Sequence, residues 1–185
     1  MIKQVYIASA ARTPVGSFQG ALSSMSAPEL GAHSIRASID RASVQDSQID
    51  EVIMGNVVSA GLKQAPARQA MRNAGLPDSC GATTVNKVCG SGMKAIMLAT
   101  DLIKADSGTT IIAGGMESMS NAPYLVQKAR SGLRMGHQQM QDALFLDGLE
   151  DAETGGSMGS FAQNTADEFQ LTRKDMDDYA TSSVI

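Results

Sequence analysis

An α/β fold with substantial parallel pairing is the class this sequence predicts. Three observations carry the expectation. Short β-branched runs alternate with longer segments whose apolar residues recur at helical spacing. Gly and Pro mark the transitions between them. The length, 185 residues, suits one ordinary domain that buries its core without disulfide staples.

The elements follow in order. Val5-Tyr6-Ile7-Ala8 reads as a short buried strand running into the turn Ala11-Arg12-Thr13-Pro14. Ser26-Ala27-Pro28-Glu29 has capping-box spacing, and Pro28 is tolerated in a first turn, so a helix is predicted over about 27–42. Residues 50–58 form the second strand candidate, and 65–74 a helix closed by Gly75 and Pro77. Thr83 to Val88 is a third, β-branched strand, followed at once by a helix over about 91–105. Thr109 to Ala113 is a fourth strand, stopping at Gly114-Gly115. From Met116 to about Gly159 no period is sustained, and a stretch this long without one is often a functional excursion. A helix through about Phe169 follows. Another opens at Thr172-Arg173-Lys174-Asp175, with Thr172 as cap. No closing Gly, Pro or polar tail follows it, which reads as a truncated sequence.

Composition narrows the function classes. The formal net charge of -4 argues against a nucleic-acid binder, which usually carries a basic face. No run approaches the roughly 18 apolar residues of a membrane span. The opening Met1-Ile2-Lys3-Gln4-Val5 lacks the features of a signal peptide. The two cysteines, Cys80 and Cys89, make no disulfide framework, so a reduced, cytoplasmic protein is expected.

The strongest local signal is Asn86-Lys87-Val88-Cys89-Gly90-Ser91-Gly92-Met93-Lys94. It sets a thiol between a strand and a helix. A helix N-terminus presents unpaired N–H groups and partial positive charge, which favour thiolate over thiol. Gly90 and Gly92 clear space beside the sulfur, so a carbonyl can approach and the Cys89 N–H can help hold an oxyanion. The layout is analogous to a nucleophile elbow with sulfur in place of oxygen. A buried structural cysteine beside glycines needed for packing fits the same local pattern equally well.

The wider sequence resembles the thiolase family. Val85 to Ala95 is similar to the segment around the family's acyl-accepting cysteine, and Ala10 to Gly16 to its opening. Ala65-Pro66-Ala67-Arg68-Gln69-Ala70 looks like its intervening helix. Gly114-Gly115-Met116-Glu117-Ser118-Met119-Ser120 looks like the segment after its next strand. Met158-Gly159 with Ala162 and Asn164 matches a later loop-to-helix signature. The resemblance implies a layered α-β-α-β-α fold of two similar halves. This chain would supply the first half only, residues 1–118, and the start of the family's loop excursion, 119–185. The family's second half carries a histidine that activates the nucleophile, a second cysteine that moves a proton, and an asparagine that positions an oxyanion-binding water.

The resemblance further implies a reaction. Cys89 would take an acetyl group from acetyl-CoA, and a second acetyl-CoA would then condense to give acetoacetyl-CoA, or the reverse by thiolysis. Coenzyme A thioesters would be the substrates, with no metal or redox cofactor. Leu149 and Met158 match positions lining the acyl and pantetheine pocket of short-chain members. Ser157, also assigned to substrate binding, departs from the histidine common before the Met-Gly pair, and Gln163 from a common glutamate. A homodimer or homotetramer is implied, with residues 121–139 resembling the arm that joins dimers. A longer-chain 3-ketoacyl-CoA thiolase is the nearest alternative. A ketoacyl synthase shares the fold, and a naturally short, non-catalytic interaction domain is an alternative of another class. Redox sensing by the two cysteines has no support. His33 reads as a helix residue. His137 lies in a cationic stretch with Lys128, Arg130 and Arg134 that reads as a solvated loop or subunit contact. Cys80 reads as structural.

Overall fold

The computed structural model describes residues 3–184. Met1, Ile2 and Ile185, the outer ends of the expected start and final helix, lie outside the described residues.

A three-stranded parallel sheet of order β2-β1-β3 organises the chain, with β1 at Glu51–Gly55, β2 at Gly81–Val85 and β3 at Ile111–Gly115. Val52 pairs with Ala82 on one side and Ile112 on the other, which fixes the register. Helix α1, Ala27–Ala42, and α2, Pro66–Asn73, cover one face, and α3, Ser91–Lys104, covers the other. Strand β1 is therefore covered on both faces and apolar from Val52 to Gly55, as expected for a central parallel strand. Its side chains alternate: Val52 and Met54 join the cluster under α1 and α2, while Ile53 meets Ala95 and Ala99 of α3.

Local chemistry sets the helix ends. At the start of α1 the Glu29 carboxylate accepts from both the backbone N–H and the hydroxyl of Ser26, each at 2.7 Å. Gly75, with φ +85°, closes the turn after α2 in a conformation that costs other residues energy. The Asp50 carboxylate accepts from the N–H groups of Thr109 and Thr110 at 2.6 and 3.0 Å, tying the start of β1 to that of β3.

Beyond β3 the chain carries a small antiparallel ribbon, β4 at Tyr124–Val126 and β5 at Met140–Asp142. A wide turn with i→i+5 hydrogen bonding follows at Phe145–Leu149. Ala143 and Leu144 pack with Val58, seating this excursion on the loop that leaves β1. Helices α4, Met158–Glu168, and α5, Arg173–Val184, bury no residue. Their order is local: Asp175 accepts from the N–H and hydroxyl of Thr172, and Arg173 pairs with Asp177 one turn on.

Two expectations are corrected. Residues 5–8 form no strand; Tyr6 and Ile7 are 79% and 84% exposed. An apolar run becomes a strand only with a neighbour to pair with, and none of the described strands lies beside it. The third strand lies earlier than expected, ending at Val85, and residues 86–90 make a tight turn instead of continuing it. Among the described residues no helix is long and apolar enough to cross a membrane.

Candidate active site

Parallel strands deliver their loops to one edge, and here all three strands contribute at their carboxyl ends. Asn56 follows β1, Cys89 follows β2 and Glu117 follows β3. The carboxyl edge of an open parallel sheet is the usual place for ligand chemistry. A cavity of about 360 Å³ opens there, lined by Cys89, Gly92, Met116, Glu117 and Leu149 among others.

Cys89 is exposed, whereas Cys80 is buried. Burial, followed by the nearby charges of Glu51 and Asp50, pushes the Cys80 thiol up, so it stays protonated and unreactive. The glycines beside Cys89 are not packing requirements: a Cβ on Gly92 would sit at an ordinary 3.7 Å from Gly114, and one on Gly90 at 3.5 Å from the Lys87 carbonyl. The reading of Cys89 as a buried structural thiol therefore loses its physical basis. Gly55 is different, because a Cβ there would come within 2.6 Å of the Ser91 Cβ. Its absence lets the start of α3 lie against β1 and sets the Cys89 turn over the sheet edge.

That turn is held by hydrogen bonds within its own backbone and to the Asn86 and Ser91 side chains. Val88 N–H donates to Asn86 Oδ1 at 2.9 Å, and Gly90 N–H to the Lys87 carbonyl at 3.1 Å. The Ser91 hydroxyl accepts from Lys87 N–H at 2.8 Å and donates to the Val88 carbonyl at 2.6 Å.

Glu117 anchors the opposite wall. Its carboxylate accepts from Val57 N–H at 2.8 Å, Val58 N–H at 3.3 Å and Asn56 Nδ2 at 2.7 Å. Burial pushes its pKa above the usual carboxylate value, outweighing these hydrogen bonds, which act in the opposite sense. Asn56 is 2% exposed, and its Oδ1 finds no partner among the described residues. A buried open acceptor is unfavourable, so what fixes this side chain is its Nδ2, which also reaches the Met116 carbonyl at 3.3 Å. The backbone adds two ties, Asn56 N–H to the Val85 carbonyl at 3.0 Å and Met116 N–H to the Gly55 carbonyl at 2.9 Å. Asn56 thus links the exits of all three strands.

Of the residues singled out from sequence, Cys89 and Leu149 line this cavity together. Ser157 and Met158 are not among its lining residues. Ser157 instead caps α4, its hydroxyl accepting from Ser160 N–H at 3.2 Å, and Met158 is 40% exposed. Sequence reasoning assigned no role to Asn56, Ser91 or Glu117. A carboxylate two residues past an apolar strand was the available signal for Glu117. Among the described residues no three His, Cys, Asp or Glu side chains gather as metal ligands.

Fold and site together define a class: a parallel α/β layer that presents an accessible thiol at the carboxyl edge of its sheet, beside a glycine-bounded cavity. The chain belongs to the thiolase family, whose N-terminal domain matches residues 5–184. Acetyl-CoA acetyltransferase of Escherichia coli (strain K12) is 50% identical over 183 residues, 98% of this chain and 46% of the relative. Acetyl-CoA acetyltransferase 2 of Arabidopsis thaliana is 49% identical over 181 residues, 98% of this chain and 45% of the relative. The crystal structure of Acat5 thiolase from Ascaris suum in complex with coenzyme A superposes with a TM-score of 0.91 at 42% identity, over 98% of this chain and 47% of that one. The chain thus spans a little under half the length of the relatives it matches.

Proposed function

We propose that this chain supplies the nucleophile half of an acetyl-CoA C-acetyltransferase. The Cys89 sulfur attacks the thioester carbonyl of acetyl-CoA. The C–S bond to coenzyme A breaks, coenzyme A leaves as the thiol, and an acetyl thioester remains on Cys89. A second acetyl-CoA gives an α-proton to a base, its carbanion attacks the acetyl carbonyl, and the proton is later returned to the Cys89 sulfur. Acetoacetyl-CoA forms and the Cys89 thiolate is released; thiolysis runs these steps backwards. The first transfer exchanges one thioester for another and the second forms a C–C bond as the Cys89 thiolate leaves; neither needs an external oxidant or reductant, so the chemistry draws on no metal or redox cofactor.

The observation that carries this reading is the exposed Cys89 in a glycine-bounded cavity, on a chain about half identical to acetyl-CoA acetyltransferases. Leu149 is proposed to contact the acyl or pantetheine portion of the substrate. Ser157 and Met158 are proposed to join it only when the loop ahead of α4 lies against bound substrate. Residues 1–118 are proposed as the α/β domain and 119–185 as the inserted excursion. We further propose a reducing, cytoplasmic setting, which keeps a nucleophilic thiol free, and a homodimer or homotetramer.

Incubating the full-length protein with acetyl-CoA should leave an acetyl thioester on Cys89 and none on Cys80. Peptide mass mapping checks this; a label on Cys80, or none, contradicts the proposal.

A further inference from the structure

Val88 lies at φ +47°. Eight non-glycine residues among those described have positive φ, and Val88 alone of them is β-branched. That conformation is an outlier for such a residue, because the branched Cβ crowds the backbone. Nothing in side-chain packing explains it, since Val88 is 51% exposed. Backbone strain persists only where its surroundings over-determine it, and it clusters at working sites.

Ser91 is the surrounding group with the right reach. It is 5% exposed, and the close approach of α3 to Gly55 fixes its position. Its single hydroxyl spans the strained residue, taking the N–H of Lys87 before it and giving to the carbonyl of Val88 itself. The peptide whose carbonyl it holds is the one whose nitrogen belongs to Cys89. Fixing that carbonyl fixes the direction in which the Cys89 side chain leaves the turn.

We propose that Ser91 is a positioning residue that holds Val88 in the left-handed conformation and thereby aims the Cys89 sulfur into the cavity. The inference rests on Cys89 being the nucleophile of the proposed acetyl transfer. A purely structural Ser91, serving only the start of α3, would stabilise the helix to the same extent whatever residue occupied position 88. A positioning Ser91 makes the two positions interdependent, because glycine adopts positive φ unaided.

The test is a double-mutant cycle in the full-length protein, read as the rate of Cys89 alkylation by iodoacetamide under native conditions. Ser91→Ala should slow alkylation at least tenfold, and Val88→Gly should shrink that loss at least threefold. A loss below tenfold, or one that Val88→Gly does not shrink threefold, overturns the proposal. Thermal melting of Val88→Gly alone keeps the idea testable if Ser91→Ala does not fold. Relieving the strain should raise the melting temperature, and a value at or below wild type overturns the proposal. Acetyl labelling of the wild type is scored separately. If no label appears while Ser91→Ala still slows alkylation in the coupled way, the acetyl-transfer reading fails and the positioning role stands. If the label appears and the coupling does not, the reverse holds.

Discussion

The two cysteines show how environment alone separates like side chains. Cys80 is buried in the same cluster as Leu76 and Met71, beneath α1 and α2, where its thiol behaves as a small hydrophobe. Cys89 stands exposed at the cavity. Cys89→Ala should abolish acetyl transfer and leave melting nearly unchanged, because an exposed thiol contributes little to packing; activity assay and calorimetry on the full-length protein separate the two effects. Glu117 makes the opposite case, a charged group whose role is to hold backbone. In Glu117→Gln the amide NH2 would face the N–H of Val57 or Val58, donor against donor, and stability should fall by about 1–3 kcal/mol. The pH dependence follows from burial raising the native pKa. The native state keeps its proton to higher pH than the unfolded chain does, so the carboxyl's contribution is full below about 4.5 and is lost as pH rises through the raised native value. The stability gap between wild type and Glu117→Gln should therefore narrow across that interval, as melting curves taken between pH 4 and neutrality would reveal.

At the scale of elements, the contact between α3 and β1 decides where Cys89 stands. Gly55→Ala would place a Cβ 2.6 Å from the Ser91 Cβ and 2.9 Å from the Gly92 nitrogen, so the start of α3 must shift. Overpacking of this kind costs about 1–3 kcal/mol. Labelling of Cys89 should slow as well, since the turn and the helix move together; a variant that melts like wild type and labels at the same rate would show the contact to be slack. The Asp50 link between β1 and β3 behaves differently with pH. The N–H groups of Thr109 and Thr110, then the Thr109 hydroxyl, hold the Asp50 pKa below its ordinary 3.8. Its stabilisation is present above the unfolded value and is lost as pH falls through the lower native one. Asp50→Asn should therefore be destabilising at neutral pH and nearly silent in strong acid, which melting at the two extremes tests.

For the molecule as a whole, the outer side of α3 is the conspicuous surface. Met93, Ile96 and Met97 are 71%, 47% and 53% exposed there, and Val88 lies nearby in sequence at the turn before the helix. Apolar groups gathered this way are interaction or aggregation sites. A polypeptide limited to these 185 residues spans 46% of its Escherichia coli relative. By itself it should bind hydrophobic dyes, aggregate at micromolar concentration and fail to thiolyse acetoacetyl-CoA at an enzyme-like rate. Losing even one oxyanion donor typically raises such a barrier by about 2.7–4 kcal/mol. A monodisperse, cooperatively melting, fully active polypeptide would disprove this. Strand β2 lies at an edge of the sheet, and an open edge is a template for pairing. The full-length protein should scatter light as a dimer or larger.

The sequence by itself determined what short-range chemistry controls. The bounds of α1 were legible because Ser26 and Glu29 satisfy each other within one turn. The helix after Cys89 and the glycine end of α2 were legible for similar reasons, and the cysteine motif with its ordered companions pointed to the family. Only the tertiary structure decided where pairing and burial fell. The run at residues 5–8 has strand composition but finds no neighbour among the described strands, and the strand before Cys89 ends early because residues 86–90 must turn onto α3. Asn56 and Glu117 are 61 positions apart, and nothing in the local pattern of either announces the other. They meet because β1 and β3 lie side by side in register, which is a property of the sheet. Ser91 sat in plain view inside the motif, yet its role depends on the left-handed Val88 and the approach to Gly55. Caps and turns close over three or four residues and can be read along the chain, whereas a hydrogen bond between strands exists only once the layers have packed.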